Sequence, residues 1–440
     1  MRFSIETEKE MPANNSAQQV TKDALKEAPG RALTMSTVAF AVCFAVWTIF
    51  SIIGIGIKDE LSLSETQFGL LIGLPILVGS LARMPLGIWT DRKGGRLVFT
   101  LTMLAAALAT FMLSFAETYQ QVLIAAMGVG LAGGSFAVGV AYISRFFASE
   151  KQGTALGIFG IGNIGAAATG FIAPFIFTAF GWDAVAQIWA VLLAVMAGIF
   201  WFTTADDPVI RAQKAGEHRQ RGSFLSELEP LKNVQVWRFA FYYFFVFGAF
   251  VALALWLPRY LIEVYGFDIK TAGMVAAIYS VPASLFRAYG GALSDRVGAR
   301  TVMYWTFAVS TVALLVLSFP PTEYKVLTSN GPLAFHFEIS PAIFIPTLFV
   351  LGFFMSLGKA AVYKHIPIYY PENVGAVGGL VGMIGGLGGF ILPLAFGWMF
   401  ETTGMWTSCF MLLFLIVVTS FAWMIAAVRN LERSQHLQPT

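Results

Sequence analysis

Charged residues, cysteine and histidine are all scarce in this sequence. Only 12% of its 440 residues are charged, whereas soluble domains carry about 25%, and this excludes an ordinary soluble fold. The two cysteines, Cys43 and Cys409, both fall in apolar segments, where inert buried thiols are expected instead of a disulfide. No Cys/His cluster has metal-ligand spacing, and no nucleophile–base pair or nucleotide-binding loop occurs. We therefore expect no metal, no cofactor and no enzymatic activity.

Long apolar segments take the place of the missing charge. The chain is 57% hydrophobic, and apolar runs of about 18 residues or more recur along most of its length, which predicts an all-α, multi-pass membrane protein. We count twelve spans and number them in chain order. They lie at about residues 34–57, 67–90, 97–117, 120–143, 154–180, 184–205, 236–261, 271–293, 300–320, 341–365, 374–400 and 404–427.

A polar connector between spans 6 and 7 divides the chain into two six-helix halves. The first 32 residues are polar and contain no apolar signal-peptide region, so we expect the first span to remain in place. The predicted division is a cytoplasmic tail at 1–32, a first helix bundle at 33–205, a cytoplasmic linker at 206–235, a second bundle at 236–428 and a cytoplasmic tail at 429–440.

Lysine and arginine are distributed unequally about the spans. Most of the 28 basic residues fall in the tails and in the loops on the N-terminal side of the membrane. The opposite loops hold only Lys58, Arg259, Lys270 and Lys325. Because basic loops stay in the cytoplasm, we expect both termini to be cytoplasmic and the protein to lie among the lipids of a bacterial inner membrane. The small net charge of +3 gives no indication of a nucleic-acid partner.

One pattern occurs twice, at an offset of 204 residues. Residues 83–96 and 287–300 both read R-x3-G-x3-D-R-x-G-x-R, between spans 2 and 3 and between spans 8 and 9. This repeat predicts the parallel two-half architecture of major facilitator transporters. Its glycines permit close helix contact, and we expect its aspartates to form an ion network that holds one gate closed, although ordinary loop charges that anchor topology are the alternative. The predicted gating residues are Gly87, Asp91, Arg92, Gly94, Arg96, Gly291, Asp295, Arg296, Gly298 and Arg300.

The first arginine of each copy, Arg83 or Arg287, lies about one helical turn deeper than the first glycine of its motif. A lone charge at the bilayer centre costs about 2.5 kcal/mol or more, so each arginine must face water, a partner or a ligand. Snorkelling to the interface would satisfy one arginine, but no Asp or Glu lies in the interior of any span to pair with two. The pair therefore indicates a two-fold cation site for a small anion. A planar guanidinium matches two oxygens of a planar oxyanion such as nitrate or nitrite.

Lys359 lies near the centre of span 10, with Lys364 and His365 toward the cytoplasmic end. Burial disfavours the charged form of a lysine, so Lys359 can carry a proton or add a third positive charge to the site. Pairing with carbonyls and snorkelling are the alternatives. Lys359 and His365 are thus our candidates for proton coupling.

Spans 2, 4, 5, 7 and 8 together resemble the nitrate/nitrite porter family of the major facilitator superfamily, and the likeness extends over residues 34–428. It rests on Arg83 in Leu-Ala-Arg-Met-Pro-Leu-Gly and on Arg287 in Ser-Leu-Phe-Arg-Ala-Tyr-Gly-Gly. It rests also on two glycine-rich signatures, at 157–165 in span 5 and at 378–389 in span 11. Glycines at such spacings let helices pack closely, a structural role that is compatible with binding.

This resemblance implies a carrier that moves nitrate, and as a further candidate nitrite, by alternating access and as a monomer. It implies six substrate-binding residues, for whose aromatic members core packing is the competing explanation: Arg83, Arg287, Asn163, Phe136, Tyr243 and Phe247. The run at 363–367 is more similar to the branch that couples nitrate to protons. A nitrate/nitrite antiporter and a carrier of another small anion, such as a carboxylate, are the alternatives. A membrane sensor would need signalling domains, and the tails are short.

Overall fold

The computed structural model describes residues 29–215, 229–267, 269–329 and 331–436. The expected tail at 1–32, linker at 206–235 and tail at 429–440 fall partly outside these ranges, because residues 1–28, 216–228 and 437–440 lie outside the described residues. Two short elements occupy the described ends of the linker. They are a helix at Pro208–Lys214 and a 3-10 turn at Glu229–Lys232.

The first half contains six spans. Span 1 is broken into two helices, and span 5 contains a 3-10 turn within its length. Their bounds are Pro29–Trp47 and Phe50–Glu60 (span 1), Glu65–Lys93 (span 2), Gly95–Leu113 (span 3), Tyr119–Ser144 (span 4), Gln152–Gly160, Ile161–Ile164 and Gly165–Phe180 (span 5), and Trp182–Thr203 (span 6).

The second half repeats this order, with a π-helical segment inside span 7. The bounds are Val234–Tyr243, Phe244–Ala249 and Phe250–Tyr265 (span 7), Ile269–Val297 (span 8), Ala299–Leu317 (span 9), Pro341–Tyr369 (span 10), Val374–Thr403 (span 11) and Ser408–His436 (span 12). Among the described residues, eleven helical segments are long and apolar enough to cross a membrane. Span 8 is not one of the eleven, but its 29 residues equal the length of span 2, its counterpart in the repeat.

Helix starts and ends follow from local sequence. Ser64 and Thr118 begin spans 2 and 4 with capping boxes, in which the hydroxyl accepts from a backbone N–H and a glutamine side chain returns a bond. Gly94 and Gly298 separate spans 2 and 3 and spans 8 and 9 at φ values of +90° and +87°. Because side chains disfavour positive φ, the glycine of each repeated motif allows the sharp reversal between helices.

The two halves contact each other through crossed helix pairs. Span 2 packs against span 11 of the other half, and span 8 packs against span 5. The repeated motifs both lie at one end of the bundle, which we call the motif face. The opposite end is the hairpin face, because a β-hairpin joins spans 9 and 10 there. The crossed pairs bring the centres of spans 2, 5, 8 and 11 together in the middle of the molecule.

The hairpin is the one departure from the all-α expectation within the described residues. Strand β1, Thr322–Thr328, pairs antiparallel with β2, Gly331–Phe337, with Tyr324 opposite Phe335. The connector between spans 9 and 10 alternates apolar and polar residues with a period of two, which is a strand signal.

Candidate functional site

Arg83 is buried at the interface between the halves, with 1% of its surface exposed. Its Nε donates to the carbonyl of Gly133 in span 4 at 3.2 Å, and its Nη1 donates to the carbonyl of Gly382 in span 11 at 2.6 Å. The guanidinium also lies over the rings of Trp47 and Phe247, at 5.5 and 5.2 Å from their centroids. Arg83 is therefore held by both halves.

Arg287 occupies the matching position in span 8 and is equally buried. Its Nη2 donates to the hydroxyl of Tyr243 at 3.4 Å, while its Nε and Nη1 find no hydrogen-bond partner. Buried N–H groups of a cation are almost always satisfied, and an unmet one costs about 1–3 kcal/mol or more. The guanidinium of Arg287 is thus positioned to receive an acceptor that the described residues do not supply.

Phe136 of span 4 lies beside both arginines. Its ring centroid is 5.7 Å from Cζ of Arg83 and 4.9 Å from Cζ of Arg287. The ring of Tyr243 is nearly parallel to it, at 6.4 Å and 9°, and Phe247 stacks on Tyr243 at 5.1 Å and 6°. The structure therefore brings together five of the six residues that the family resemblance implies for the site: Arg83, Arg287, Phe136, Tyr243 and Phe247.

Lys359 is a third buried cation of this region. It is fully buried, its Nζ has no hydrogen-bond partner, and that nitrogen lies 3.4 Å from the ring centroid of Phe250. Within the described part of the chain, no carboxylate forms an ion pair with Arg83, Arg287 or Lys359. The centre of the molecule is therefore positive and without a counter-ion of its own.

Asn163 lies in the 3-10 turn that interrupts span 5. Its side chain is 5% exposed, and both its Oδ1 and its Nδ2 lack partners. Phe247 similarly lies in the π-helical segment of span 7. Such interruptions of an α-helix often occur at functional hinges, and here both flank the buried cations.

The two glycine-rich signatures each pack against the arginine of the other half. A Cβ at Gly157 would approach the Arg287 carbonyl to 2.7 Å, and one at Gly160 would overlap the Arg287 side chain. A Cβ at Gly379 would meet the Arg83 carbonyl at 2.7 Å, and one at Gly382 would meet the Arg83 Cδ at 3.1 Å. The glycines thus allow the close interhelical packing that lets both arginines reach the midline.

A cavity of about 280 Å³ occupies the hairpin side of the interface between the halves. Its lining is mostly apolar, with Asn163 and Ser284 among the polar groups, and Phe250 separates it from Lys359. Ser284 lies three residues before Arg287 in span 8. The cavity therefore reaches nearly to the buried arginines from one face of the molecule.

On the motif face, Asp91 joins the first half to the second. Its Oδ2 accepts from the backbone N–H of Ala376, in the first turn of span 11, at 3.1 Å. Its Oδ1 pairs with Arg145 at 2.9 Å, and Arg145 also pairs with the buried Asp207. Gly87 lies where a Cβ would collide with the carbonyl of Gly375. A carboxylate at a helix N-terminus is stabilised by the helix dipole.

Asp295, in the second half, makes the same kind of connection to the first half. Its Oδ1 and Oδ2 accept from the backbone N–H groups of Gly153 and Thr154, at the start of span 5, at 3.0 and 2.6 Å. Lys364 pairs with Asp295 at 2.6 Å and also donates to the carbonyl of Ser149. The motif face thus carries two related links between the halves, which we name the Asp91 latch and the Asp295 latch.

The remaining motif residues lie at the periphery. Arg96 donates to the carbonyl of Trp201 at 2.6 Å and lies 4.2 Å from that ring, which ties span 3 to span 6. Arg296 and Arg300 are exposed at the motif face, and Arg92 is partly buried there. His365 stacks on Phe239 at 5.2 Å, near the motif face. The structure therefore does not bring His365 together with Lys359, which lies six residues deeper in span 10.

The site includes residues that the sequence did not single out for binding. Tyr363 donates to the carbonyl of Gly378 at 2.9 Å, and its ring contacts Phe136 and Tyr243 at 4.9 and 4.8 Å. Its position one turn after Lys359 was an available signal, since residues four apart share a helix face. Trp47 left no such signal, because one aromatic residue in an apolar span is ordinary. Among the described residues, no group of three His, Cys, Asp or Glu side chains is arranged to hold a metal.

Comparison with known proteins identifies this architecture. The chain matches the family model of the Major Facilitator Superfamily over residues 35–322 and 265–440. It is similar in fold to the human organic anion transporter MFSD10, with a TM-score of 0.66, 13% sequence identity, and coverage of 91% of this chain and all of the other. That likeness supports the fold alone.

Curated relatives are more similar in sequence. The Thermus thermophilus protein described as a probable nitrate/nitrite antiporter, NarK1, is 43% identical over 94% of this chain and 96% of its own length. The nitrite extrusion protein of Bacillus subtilis is 30% identical over 89% and 93%. The probable nitrate transporter NarT of Staphylococcus epidermidis is 27% identical over 84% and 89%. The chain is therefore a multi-pass membrane carrier, not an enzyme, and belongs to the nitrate/nitrite porter family of the Major Facilitator Superfamily.

Proposed function

We propose that this protein is a secondary carrier of nitrate, with nitrite as a second substrate. The observation that carries the proposal is the buried Arg287, whose Nε and Nη1 lack partners in a region with three cations and no paired carboxylate. A small anion that accepts from this fork would meet the unmet donors and offset the positive charge. The similar proteins are described as nitrate and nitrite carriers, which supports this choice of anion.

The flat shape of nitrate also suits the site. The rings of Phe136 and Tyr243 are nearly parallel, and a planar ion can enter between two such faces with its oxygens directed at the arginines. Arg83 keeps its bonds to Gly133 and Gly382 and contributes charge from the opposite side. Asn163, with an unpaired amide, supplies a further donor as the ion arrives through the cavity.

Alternating access follows from the same geometry. The motif face is closed by the Asp91 and Asp295 latches, while the cavity lies on the hairpin side. The excess of basic residues at the motif face supports a cytoplasmic location for that face and for both termini, in a bacterial inner membrane. The structure then corresponds to an outward-facing carrier. Binding of the anion reduces the repulsion between the arginines, which allows the halves to close over it.

For coupling we propose proton symport in which Lys359 carries the proton. Among the described residues its Nζ has no hydrogen-bond partner, and it lies over the ring of Phe250, which lines the cavity. Uptake of an anion against an inside-negative potential costs about 2.3 kcal/mol per charge per 100 mV. More than one proton is therefore needed to make nitrate uptake electrically favourable.

Exchange of nitrate for nitrite is the second candidate. It is favoured by the description of the Thermus thermophilus relative as a probable antiporter. It is also favoured by the repulsion of the buried cations, because an empty site would resist closure and the carrier would return only when loaded. We further propose that the carrier works as a monomer within the lipid bilayer.

Nitrate-dependent stabilisation of the purified protein tests the substrate assignment. We expect nitrate, and not chloride or formate, to raise the unfolding temperature. Arg83→Lys and Arg287→Lys keep the charge but lose the fork, so both should abolish this rise and the uptake of nitrate by proteoliposomes. Arg259→Lys is the matched control, because Arg259 lies by Trp256 and Trp406, far from the cations. Normal transport by either site variant would remove the proposed site.

Counterflow in proteoliposomes tests the coupling. A symporter accumulates labelled nitrate when an inward proton gradient is imposed on empty vesicles. An exchanger takes up label only when nitrate or nitrite is loaded inside, whatever the pH gradient. Formate or another carboxylate that competes with nitrate and drives counterflow equally well would favour the carrier of another small anion.

A further inference from the structure

The β-hairpin between spans 9 and 10 has one predominantly apolar face and one face that carries its charged side chains. In the antiparallel register, Tyr324 pairs with Phe335 and Val326 pairs with Leu333, and all four side chains lie on one face. The rings of Tyr324 and Phe335 stack at 5.3 Å and 17°. The alternate positions of both strands belong to the other face, which carries Glu323, Lys325 and His336 together with Leu327, Pro332 and Ala334.

The apolar face is uncovered. Tyr324, Val326, Leu333 and Phe335 are 42%, 45%, 59% and 48% exposed. An isolated two-stranded hairpin is marginally stable in water. A contiguous apolar patch exposed on a protein surface marks a contact site for another protein, a ligand or a membrane.

The position of the hairpin indicates what covers it. Span 9 ends at Leu317 and span 10 begins at Pro341, so short connections hold the hairpin at the hairpin-face edge of the membrane-spanning region. Phe337 at the end of β2 contacts Phe319 at 6.1 Å, and Phe319 is itself exposed. Phe337 lies on the apolar face, which therefore extends to Phe319 just after span 9. Spans 9 and 10 themselves expose apolar side chains near their hairpin-face ends, among them Val312 and Ile343.

The three longer segments outside the described residues, 1–28, 216–228 and 437–440, adjoin described residues on the motif face, away from this surface. The remaining gaps in the described ranges are the single residues 268 and 330. Among side chains, tyrosine and other aromatics are enriched at the membrane–water interface, where one end is apolar and the other wet. The apolar face, with its tyrosine, phenylalanine and aliphatic side chains, therefore has a composition typical of segments that lie in the lipid headgroup region.

We propose that the hairpin is an interfacial membrane anchor, which lays its Tyr324–Val326–Leu333–Phe335 face into the lipid headgroup region of the adjacent leaflet and keeps Glu323 and Lys325 in water. Its partner is the bilayer surface itself. The anchor fixes the position of spans 9 and 10 relative to the membrane while other helices move. This inference does not depend on which ion is carried.

Spin labels on single introduced cysteines test the proposal in the full-length protein in liposomes. Val326→Cys and Leu333→Cys place labels on the apolar face, and Glu323→Cys and Lys325→Cys are the matched controls on the polar face. The native Cys43 and Cys409 are buried and should not react. We expect a several-fold higher ratio of collisions with oxygen to collisions with a water-soluble nickel chelate on the apolar face.

Equal aqueous accessibility on both faces would overturn the proposal. So would protection of the apolar face from both reagents with dipolar broadening between labels, which would indicate a second copy of the chain. Hydroxyl-radical footprinting of the unsubstituted protein in nanodiscs tests the same proposal without spin labels, which could themselves disturb the hairpin. It should oxidise His336 while sparing Tyr324 and Phe335, and oxidation of all three would contradict the anchor.

Discussion

Arg83 and Arg287 occupy equivalent positions of the sequence repeat, but their guanidinium groups are bonded differently. Arg83 donates to backbone carbonyls of both halves, whereas Arg287 has one bond, to the Tyr243 hydroxyl, and two donor nitrogens without partners. The repeat therefore supplies two cations but not two identical binding groups. In the proposed carrier, Arg83 is the fixed charge and Arg287 is the group that exchanges its partners when the anion binds.

Removing the Tyr243 hydroxyl should weaken anion binding without loss of the fold. Tyr243→Phe keeps the ring that stacks on Phe247 and deletes the one side-chain hydrogen-bond partner that Arg287 has among the described residues. We expect the nitrate concentration for half-maximal stabilisation to rise about tenfold, which corresponds to about 1.4 kcal/mol. Tyr242→Phe is the matched control, because the neighbouring hydroxyl is buried and unpaired. An unchanged nitrate response in Tyr243→Phe would exclude this tyrosine from the site.

A methyl group at Gly160 should disable the site through Arg287. The added Cβ would overlap the Arg287 side chain, with Cζ at 2.7 Å, so the guanidinium must move away from Phe136. We expect Gly160→Ala to fold and reach the membrane but to lose most of its nitrate uptake in proteoliposomes. Gly170→Ala lies in the same span, where a Cβ meets nothing within 4 Å, and should transport normally. Equal uptake by the two variants would show that the position of Arg287 is not critical.

Substituting the two lysines of span 10 should change stability in opposite directions. Within the described part of the chain, Lys359 is buried with neither a hydrogen-bond acceptor nor a carboxylate for its Nζ. A buried charge that lacks such partners is costly, so Lys359→Met should raise the unfolding temperature. Lys364→Met leaves Asp295 without its ion-pair partner. Because breaking a buried ion pair is destabilising by about 3–5 kcal/mol, this variant should have a lower unfolding temperature. Thermal unfolding in detergent, without nitrate, measures both. Destabilisation by Lys359→Met would indicate a partner for this lysine in solution.

If Lys359 carries the coupled proton, the same Lys359→Met variant should also lose accumulation driven by a proton gradient. Counterflow of labelled nitrate against internal nitrate should persist, because it needs no net proton movement. Proteoliposomes with and without an imposed gradient distinguish the two activities. Retention of gradient-driven uptake would assign coupling to another group.

Weakening the Asp295 latch should open the motif face. Asp295→Asn removes the charge that pairs with Lys364 and stabilises the start of span 5. We expect a larger population with the halves separated there, seen as longer distances between spin labels at exposed Lys151 and Arg296. Asp206→Asn is the control, because Asp206 pairs with exposed Lys214 of the same connector. The same distance distribution in both variants would argue against the latch.

The sequence by itself determined the membrane class, the spans and the two-half repeat. The length of each apolar run is a local signal, because a helix must be about 20 residues long to cross the bilayer. The duplicated motif is also local, because two copies of one sequence pattern predict two copies of one structural unit. The sequence also indicated that Arg83 and Arg287 meet at one site. Two arginines inside a membrane, with no carboxylate in the spans to pair with them, need an anion that both can bind. The glycine signatures were likewise visible as close-packing segments.

Only the tertiary structure decided which groups meet across the halves. Contacts such as Gly160 with Arg287, Asp295 with the start of span 5, and Tyr363 with Phe136 join residues that are far apart in the chain. No local pattern encodes them, because they arise from how helices cross and not from any one helix. The unequal bonding of Arg83 and Arg287 and the separation of His365 from Lys359 have the same origin. Helix periodicity gives the direction of a side chain, and packing between helices gives its partner.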